Sequence, residues 1–315
     1  MASHARGQNQ ETGMSTMKNQ EAEERINRQL GELPTSLEVV CRLMMMLRNP
    51  TQENEEVVEV LLTDKDLTMQ LVTRLAMKDK EKLKQGEDSM DSKTEAEILK
   101  ILFDAVLHMG YRAILSLVSA LSVGQILSAE FRGYGYGKRE LWLHSVTTAL
   151  ATQRFCEVLQ DSNRAMHDPS LGFIAGVMHD IGKAGLNTDL GQDPQAVSSE
   201  MGKAKGTWLK LEKSLCGIDH AALGAILVKR WKLPKEIIDA IRHHHNPKAS
   251  HQMAAIVHVA DYASRFISAT GGLANFRVKL KPEALEFSGL RVDDIERVIL
   301  NILNDQETLN LYTAN

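Results

Sequence analysis

The 315-residue chain lacks the features of several common protein classes. Its three cysteines, Cys41, Cys156 and Cys216, are isolated and have no CxxC spacing, which excludes a disulfide framework and favours a reducing compartment. Each lies among apolar residues, so we expect small buried side chains rather than nucleophiles. Lys and Arg number 37 against 41 Asp and Glu, and the net charge of -4 offers no overall attraction to nucleic acid or anionic membranes.

Long apolar runs are also missing. The longest apolar stretch, near residues 114–127, is interrupted by Ser116, Ser119 and Ser122, and it is shorter than the roughly 20 residues that span a bilayer. The first 20 residues lack the apolar core of a signal peptide. We therefore expect a disordered leader over residues 1–20, no membrane segment and a cytoplasmic protein.

Hairpin signals are absent as well. No dipeptide such as Asn-Gly separates alternating apolar runs, and segments such as EVVEVLLTDKDLTMQLVTRLAM have a helical period instead. Prolines fall mostly at helix starts, as at Pro34, Pro169 and Pro234. No internal repeat is apparent, which argues against a solenoid. The sequence predicts an all-α protein.

Three polar segments interrupt the helical pattern. The charged segment from Lys78 to Glu97 predicts a surface linker. The segment AEFRGYGYGKRE, at residues 129–140, is either a hinge between subdomains or a simple loop. The third segment, residues 185–206, directly follows a His-Asp pair and is either a mobile cover over a site or an inert insertion.

The His-Asp pair is the most informative motif. His179 and Asp180 end a predicted helix that begins with Asp168 as N-cap and Pro169 at N1. Adjacent His and Asp side chains seldom both point inward without a partner, because an unpaired buried carboxylate costs several kcal/mol. A divalent cation would supply that partner.

Two residues after this pair extend the motif. Gly182 allows a close backbone approach after the helix. Lys183 either places its ammonium over a bound phosphate or simply faces solvent.

Further candidate ligands lie on separate helices. His144 is next to the buried side of LWLHSVTTALATQRFCEVL, where alone it would be an ordinary core histidine. Asp261 interrupts an apolar helical face, so it is either a buried ligand or a surface partner of Arg265 at i+4.

A second histidine cluster follows the N-cap candidate Asp219. It consists of His220 and the run His243, His244 and His245. Successive helical residues are about 100° apart, so at most two of the three serve one site, and the register turns His243 to solvent. Asp180 could then bridge two metals, with His144, His179 and Asp261 on one side and His220, His244 and His245 on the other. Mixed imidazole and carboxylate ligands suit iron, manganese, zinc or nickel better than calcium.

These residues resemble the HD superfamily of metal-dependent phosphohydrolases, in which a His, a His-Asp pair and a later Asp hold the metal. The segments GELPTSLEVV, VMHDIGKAGL, IDHAALGAILVKRWKLPKEIIDAIRHHHNP and IVHVADYAS resemble more closely the HDOD subfamily, over roughly residues 25–270. The resemblance implies a bacterial signal-transduction protein. Many HDOD members have lost metal ligands and act as interaction modules, whereas this chain has the full set. The Gly-Tyr-Pro element of HD-GYP phosphodiesterases is replaced by Asn246-Pro247-Lys248, so cyclic di-GMP hydrolysis is not implied.

The resemblance also implies an architecture of an N-terminal helical subdomain (21–135) packed on an HD-type core (136–270), followed by a C-terminal extension (271–315). An amphipathic helix from Val292 to about Leu303, near the capping candidates Asp293 and Asp294, is expected to pack on the core or to mediate dimerisation.

The predicted function is metal-dependent hydrolysis of a nucleotide-type phosphodiester or monoester. One or two divalent ions, iron or manganese ahead of zinc, nickel or magnesium, would be the cofactor, with Asp180 orienting metals and water and Lys183 neutralising phosphoryl charge. The alternative is a catalytically silent regulatory module with a structural metal, which binds a signalling protein or a nucleotide.

Overall fold

The computed structural model describes residues 34–47, 53–78, 94–191, 197, 199, 207–268 and 279–313. Within these ranges every regular element is helical, apart from one isolated bridge between Phe131 and Tyr136. The all-α prediction is confirmed. The predicted leader, most of the predicted linker and most of the polar segment after Leu190 lie outside the described residues.

The N-terminal part contains α1 (Thr35–Met46), α2 (Asn54–Leu61), α3 (Lys65–Lys78), α4 (Glu95–Met109) and α5 (Tyr111–Leu127). A capping box starts α4, because the Thr94 N–H donates to Glu97 Oε2 (2.7 Å) while the Thr94 side chain accepts from the Glu97 N–H. This helix therefore begins inside the segment that the sequence assigned to a linker. Three of the other helices, α1, α3 and α4, pack on α5, whose residues 114–124 are all buried, and α2 packs on α1 and α4.

One sharp bend joins α4 to α5. Gly110, with φ of +81°, connects the two helices, which turn by 118°. Among the described residues, no single helix is long and apolar enough to cross a membrane, and α4 with α5 would meet that test only as a bent pair.

The central helix of the core is α6 (Glu140–Asp161), against which α7 (Pro169–Met178) packs closely. Asp168 caps α7 by accepting the Ser170 N–H (2.9 Å), and Pro169 occupies N1, as the sequence predicted. At Gly176 a Cβ would lie 2.6 Å from the Ala149 Cα, so only glycine lets the two backbones approach this far. The short helix α8 (Gly182–Leu186) follows directly.

In the part of the chain that the structure describes, the core continues with α9 (Trp208–Cys216), α10 (His220–Arg230), α11 (Lys235–His243) and α12 (Gln252–Ile267). Asp219 caps α10 by accepting the Ala222 N–H (2.7 Å), as predicted. α10 packs on α8 and α11, and α12 packs on α6 and α11. This packing places the ends of α7 and α11, the start of α10 and the middle of α12 around one point.

Three C-terminal helices cover the core: α13 (Pro282–Ser288), α14 (Val292–Asn304) and α15 (Gln306–Thr313). α14 corresponds to the predicted amphipathic helix and packs on α6 and α12, so its expected packing on the core is confirmed. Asp294 accepts from the Arg291 N–H (2.9 Å) and pairs with Arg164 (2.8 Å), which fixes the start of this helix. Dimerisation through α14 and the domain boundaries stay predictions.

The three cysteines form no disulfide, and Cys156 and Cys216 are buried while Cys41 is partly buried. Burial, assisted by the nearby Glu38 charge, raises the pKa of Cys41 to about 11. Burial also raises the pKa of Cys156. Thiols that stay protonated at neutral pH are poor nucleophiles, in agreement with the expected packing role.

Candidate metal centre

The predicted ligands come together in the core from three helices and from the residues that follow two others. The set comprises His144 on α6, His179 and Asp180 after α7, His220 at the start of α10, His244 and His245 after α11, and Asp261 on α12. Apart from His245, which is partly buried, no member is more than 3% exposed. So many buried ionisable groups need mutual partners or a bound ion.

Asp180 lies at the centre of this set. Its Oδ1 atom is 3.2 Å from His220 Nε2 and 4.0 Å from His244 Nε2. The other oxygen, Oδ2, is 3.3 Å from His179 Nε2 and 3.7 Å from His144 Nε2. Each oxygen of one carboxylate therefore faces a different pair of imidazoles.

The ligand atoms divide into two groups, within each of which the atoms lie no more than 4.8 Å apart. One group is Asp180, His220, His244 and His245, and the other is His144, His179 and Asp261. The spacing of the motifs predicted the same division, and metal binding by these groups stays a prediction.

The imidazole rings are oriented by hydrogen bonds on their Nδ1 side. The partners are the Gly176 carbonyl for His179 (2.7 Å), the Ile241 carbonyl for His244 (2.7 Å), the Glu212 carboxylate for His220 (2.7 Å) and the Ser264 hydroxyl for His144 (3.1 Å). Ser264 donates its own hydrogen to the Asp261 carbonyl (2.8 Å), so it accepts from His144. With the ring proton on Nδ1, each Nε2 presents a lone pair towards Asp180.

These lone pairs leave polar atoms without partners. Among the described residues, His179 Nε2, His244 Nε2 and Asp180 Oδ1 are buried and accept or donate no hydrogen bond. A buried unsatisfied polar atom costs about 1–3 kcal/mol, and facing lone pairs also repel. A divalent cation would satisfy all three atoms, and the mixed nitrogen and oxygen donors suit a transition metal. The residues present therefore fit a metal centre.

The charge states of Asp180 and His244 also suit metal binding. Burial alone would raise the pKa of Asp180, but His179, Lys183 and His220 outweigh it and hold this pKa well below its usual range. Burial, together with the charges of His179 and His220, lowers the pKa of His244 far below its usual value. At neutral pH the carboxylate is thus ionised and the imidazole neutral, as ligation requires.

Asp261 is buried, so its alternative placement at the surface is wrong. Its Oδ1 atom lies 3.3 Å from His144 Nε2 and 3.8 Å from an Arg265 guanidinium nitrogen. The contact with Arg265 expected from the i+4 spacing does form, but it forms below the surface because α12 packs on α6.

Lys183 is also buried, at 5% exposure, so the alternative in which it faces solvent is wrong. Its ammonium forms an ion pair with Asp180 Oδ2 and lies 5.5 and 5.6 Å from the ring centroids of Tyr134 and Tyr136. Burial would lower the pKa of Lys183, but Asp180 outweighs it, so this pKa is raised and the lysine stays charged.

The two tyrosines belong to a segment that covers the centre. Phe131 and Tyr136 exchange backbone hydrogen bonds (2.9 and 3.1 Å), which closes a tight loop with Tyr134 between them. All three rings are at most 1% exposed, and the Tyr136 ring stacks on His144 at 6.4 Å. The glycine-rich sequence, for which a hinge or a simple loop was left open, thus forms a packed loop over the site; a hinge role stays a prediction.

Glu212 on α9 is a functional candidate that the sequence reasoning missed. Its buried carboxylate accepts from the His220 ring (2.7 Å), the His220 backbone N–H (2.8 Å) and the Tyr134 hydroxyl (3.0 Å). A signal was available, because Glu212 lies four residues after Trp208 and four before Cys216, on the buried face of α9. An acidic residue on such a face has a partner inside.

His243 is partly exposed and lies outside the buried set. Its ring stacks instead on His251, at a centroid distance of 4.3 Å. It is therefore turned away from the centre, although it is less exposed than a fully solvated residue.

Comparison with known proteins shows what this chain is similar to. Residues 94–247 match the family model of the HDOD domain. An uncharacterized protein of Treponema pallidum (strain Nichols) is 22% identical over 165 residues, which cover 52% of this chain and 31% of that protein. A ribonuclease Y of Thermus thermophilus is 26% identical over 134 residues, covering 42% of this chain and 17% of that protein. The match thus spans about a third or less of these curated relatives.

Solved structures share the fold over nearly the whole chain. An HDOD domain protein of unknown function from Geobacter sulfurreducens has a TM-score of 0.62 at 22% identity, covering 92% of this chain and 98% of that one. A candidate phosphohydrolase from Shewanella amazonensis SB2B has a TM-score of 0.63 at 19% identity, covering 92% and 96%. A candidate signal transduction protein from Marinobacter aquaeolei VT8 has a TM-score of 0.62 at 17% identity, covering 94% and 64%.

The all-α fold is shared with these solved structures. Residues 94–247 form an HDOD domain, the family that the sequence resemblance indicated.

Proposed function

We propose that this protein binds two divalent metal ions and hydrolyses nucleotide-type phosphoesters. The observation that supports this most directly is the position of Asp180, whose two oxygens face separate pairs of imidazoles. A carboxylate shared in this way suits two neighbouring ions, and paired ions stabilise both the attacking and the leaving oxygen of a phosphoester.

The protein's own groups would have distinct roles in this reaction. Asp180 would hold both halves of the centre in register, and the Nδ1 partners of the four histidines would keep their Nε2 atoms directed inward. Lys183, charged and next to Asp180, would neutralise negative charge that develops on the phosphoryl group.

The substrate class follows from chemistry and from one relative. Ribonuclease Y, by its name, acts on RNA, and this chain spans only 17% of it. The overall charge of -4 disfavours long nucleic acid as a substrate. A small phosphodiester is therefore our first choice, with a short single-stranded RNA as the comparison.

A second function is favoured by the closure of the site. The ligands are almost fully buried, and the loop Phe131–Tyr136 packs over Lys183. A closed coordination shell is typical of structural metal sites, whereas catalytic sites keep a position open. In this alternative the metal fastens the helices of a regulatory module that binds a signalling protein or a nucleotide.

Metal analysis with an activity assay separates the two functions. The purified chain would be analysed by mass spectrometry for bound metals, then assayed on bis(p-nitrophenyl) phosphate and on a short RNA with added Mn²⁺ or Fe²⁺. We expect turnover and at least two ions per chain. Asp180→Asn should lose two ions and turnover, whereas Asp293→Asn, a matched change at an exposed position of α14, should lose neither. Metal without turnover would support the regulatory alternative, and a metal-free, folded chain would contradict both.

His179→Ala distinguishes the functions further. In an enzyme this variant loses turnover while it stays folded. In a module fastened by its metal, the variant loses thermal stability and partner binding together, because metal binding and folding are then one process.

A further inference from the structure

A second group of metal-ligating side chains lies outside the buried centre. It consists of Asp239 and His243 on α11 and His251 immediately before α12. We propose that these three residues form a partly exposed binding site for a single transition-metal ion of the Zn²⁺, Ni²⁺ or Cu²⁺ class.

The first support is the local geometry. Asp239 and His243 are four residues apart on α11 and therefore lie one turn apart on the same face. His251 comes from the other side, with its ring 4.3 Å from the His243 ring and its Nε2 atom 3.9 Å from Asp239 Oδ2. One ligand atom from each residue lies within 4.8 Å of the other two. A small rotation of the side chains would bring them onto one ion.

The second support is that His251 is already oriented. Its Nδ1 atom is 3.2 Å from Ser250 Oγ, which leaves Nε2 on the side of Asp239. Its backbone N–H donates to the Lys248 carbonyl (2.9 Å), so the turn that carries it is fixed. The side chains of His251 and Asp239 are only 20% and 23% exposed. Ion binding would therefore immobilise little that is not already ordered.

A competing cation occupies the carboxylate but holds it weakly. Lys235 forms an ion pair with Asp239 at i+4, and the Lys235 side chain is 83% exposed. Exposed pairs of this kind contribute about 0–1 kcal/mol, so a metal ion can displace the ammonium.

The ligand types select the class of metal. Two imidazoles and one carboxylate suit Zn²⁺, Ni²⁺ and Cu²⁺, whereas Mg²⁺ and Ca²⁺ prefer oxygen ligands.

The position of the site gives it a structural consequence. The ion would connect the end of α11 to the start of α12 across the loop of residues 244–251, which carries His244 and His245 of the buried centre. Occupancy of this outer site, formed by Asp239, His243 and His251, therefore restrains the backbone that carries His244 and His245.

The test measures metal stoichiometry on the full chain. Wild type and the variants His251→Gln and Asp239→Asn would be titrated with Zn²⁺ by calorimetry. His108→Gln, at an exposed position on α4, is the matched control. We expect each site variant to bind one ion fewer than wild type and the control to match wild type. Equal stoichiometry in all four proteins would overturn the proposal.

Electron paramagnetic resonance with Cu²⁺ adds a spectroscopic readout. The outer site should show hyperfine coupling to two imidazole nitrogens, reduced to one in His251→Gln. Lys235→Met should raise the affinity several-fold, because it removes the competing ammonium. Since this variant tests a gain, a folding defect cannot imitate the expected result, and an unchanged or lower affinity would contradict the proposal.

The outer site does not depend on the proposed function. If the buried centre binds no metal, wild type and His251→Gln still differ by one ion. If the outer site fails, the two proteins bind the same number of ions, and the effect of Asp180→Asn is unaffected.

Discussion

Glu212 accepts two hydrogen bonds from His220, one from the ring Nδ1–H (2.7 Å) and one from the backbone N–H (2.8 Å). The first holds the ring so that its Nε2 atom lies 3.2 Å from Asp180 Oδ1. The second fixes the start of α10 at the same carboxylate. Carboxylates that accept from the far nitrogen of a ligand histidine orient the ring and raise its basicity. Glu212 is therefore a positioning residue for the centre.

We expect Glu212→Gln to weaken metal affinity about 10- to 100-fold, because an amide is a poorer acceptor for the His220 ring proton. Metal affinity would be measured by competition with a chelator. Tyr134→Phe removes only the third hydrogen bond to Glu212 and should have a smaller effect in the same direction. Glu296→Gln, at an exposed position on α14, should have none. Wild-type affinity in Glu212→Gln would contradict this role.

The sequence predicted the candidate metal ligands better than the residues that contact them. Asp180 and His220 were identifiable because a His-Asp pair and clustered histidines at helix ends are rare without a common partner. Glu212 was missed because LEKSLC is rich in charge and reads as a surface helix, although its register places the carboxylate on the buried face.

The contacts of Lys183 were beyond sequence reasoning for a different reason. The rings that its ammonium contacts belong to Tyr134 and Tyr136, about fifty positions earlier in the chain. They lie in a glycine-rich loop whose path depends on tertiary packing. Asp261 shows a third case. Its i+4 spacing to Arg265 was correctly recognised, but only the packing of α12 on α6 decides that the pair is buried.

We expect Lys183→Met to destabilise the metal-free protein, because it leaves the buried Asp180 carboxylate without its cation. Removing one partner of a buried ion pair costs about 3–5 kcal/mol. Metal binding should restore most of this stability, so the rise in melting temperature on adding Mn²⁺ should be larger than in wild type. Thermal unfolding with and without Mn²⁺ measures both effects. Lys210→Met, at an exposed position on α9, is the control, and an equal Mn²⁺ response in both variants would refute the prediction.

Gly182→Ala should destabilise the fold at the metal centre. A Cβ at Gly182 would lie 2.0 Å from the His220 carbonyl oxygen and 2.7 Å from the Gly224 nitrogen, both backbone atoms that cannot rotate away. α8 would have to move off α10, and overpacking of this kind costs about 1–3 kcal/mol or more. A lower urea midpoint and weaker metal binding would be measured together. Gly137→Ala is the matched control, because its Cβ would meet only the Glu140 carboxyl group, at 3.5 Å.

A contact away from the centre gives a pH-dependent prediction. His167, in the loop before α7, bonds through Nδ1 to Glu236 Oε1 and through Nε2 to Gln252 Oε1 (3.0 Å). The hydrogen bond to Glu236 raises the pKa of His167 above 6.5, against burial, which lowers it. A raised folded-state pKa means that protonation favours the folded state. The stabilisation is therefore complete below pH 6.5 and is lost as the pH rises through the raised value.

His167→Gln should remove this pH dependence. Both partners are partly exposed, so we expect the wild type to lose no more than about 1 kcal/mol of unfolding free energy through this pair between about pH 5.5 and about pH 8. The variant should differ from wild type at the lower pH and approach it at the higher one. Urea unfolding at both pH values measures the difference, with His108→Gln as the control. A variant that is destabilised equally at both pH values would show that His167 acts through packing alone, without a contribution from its charge.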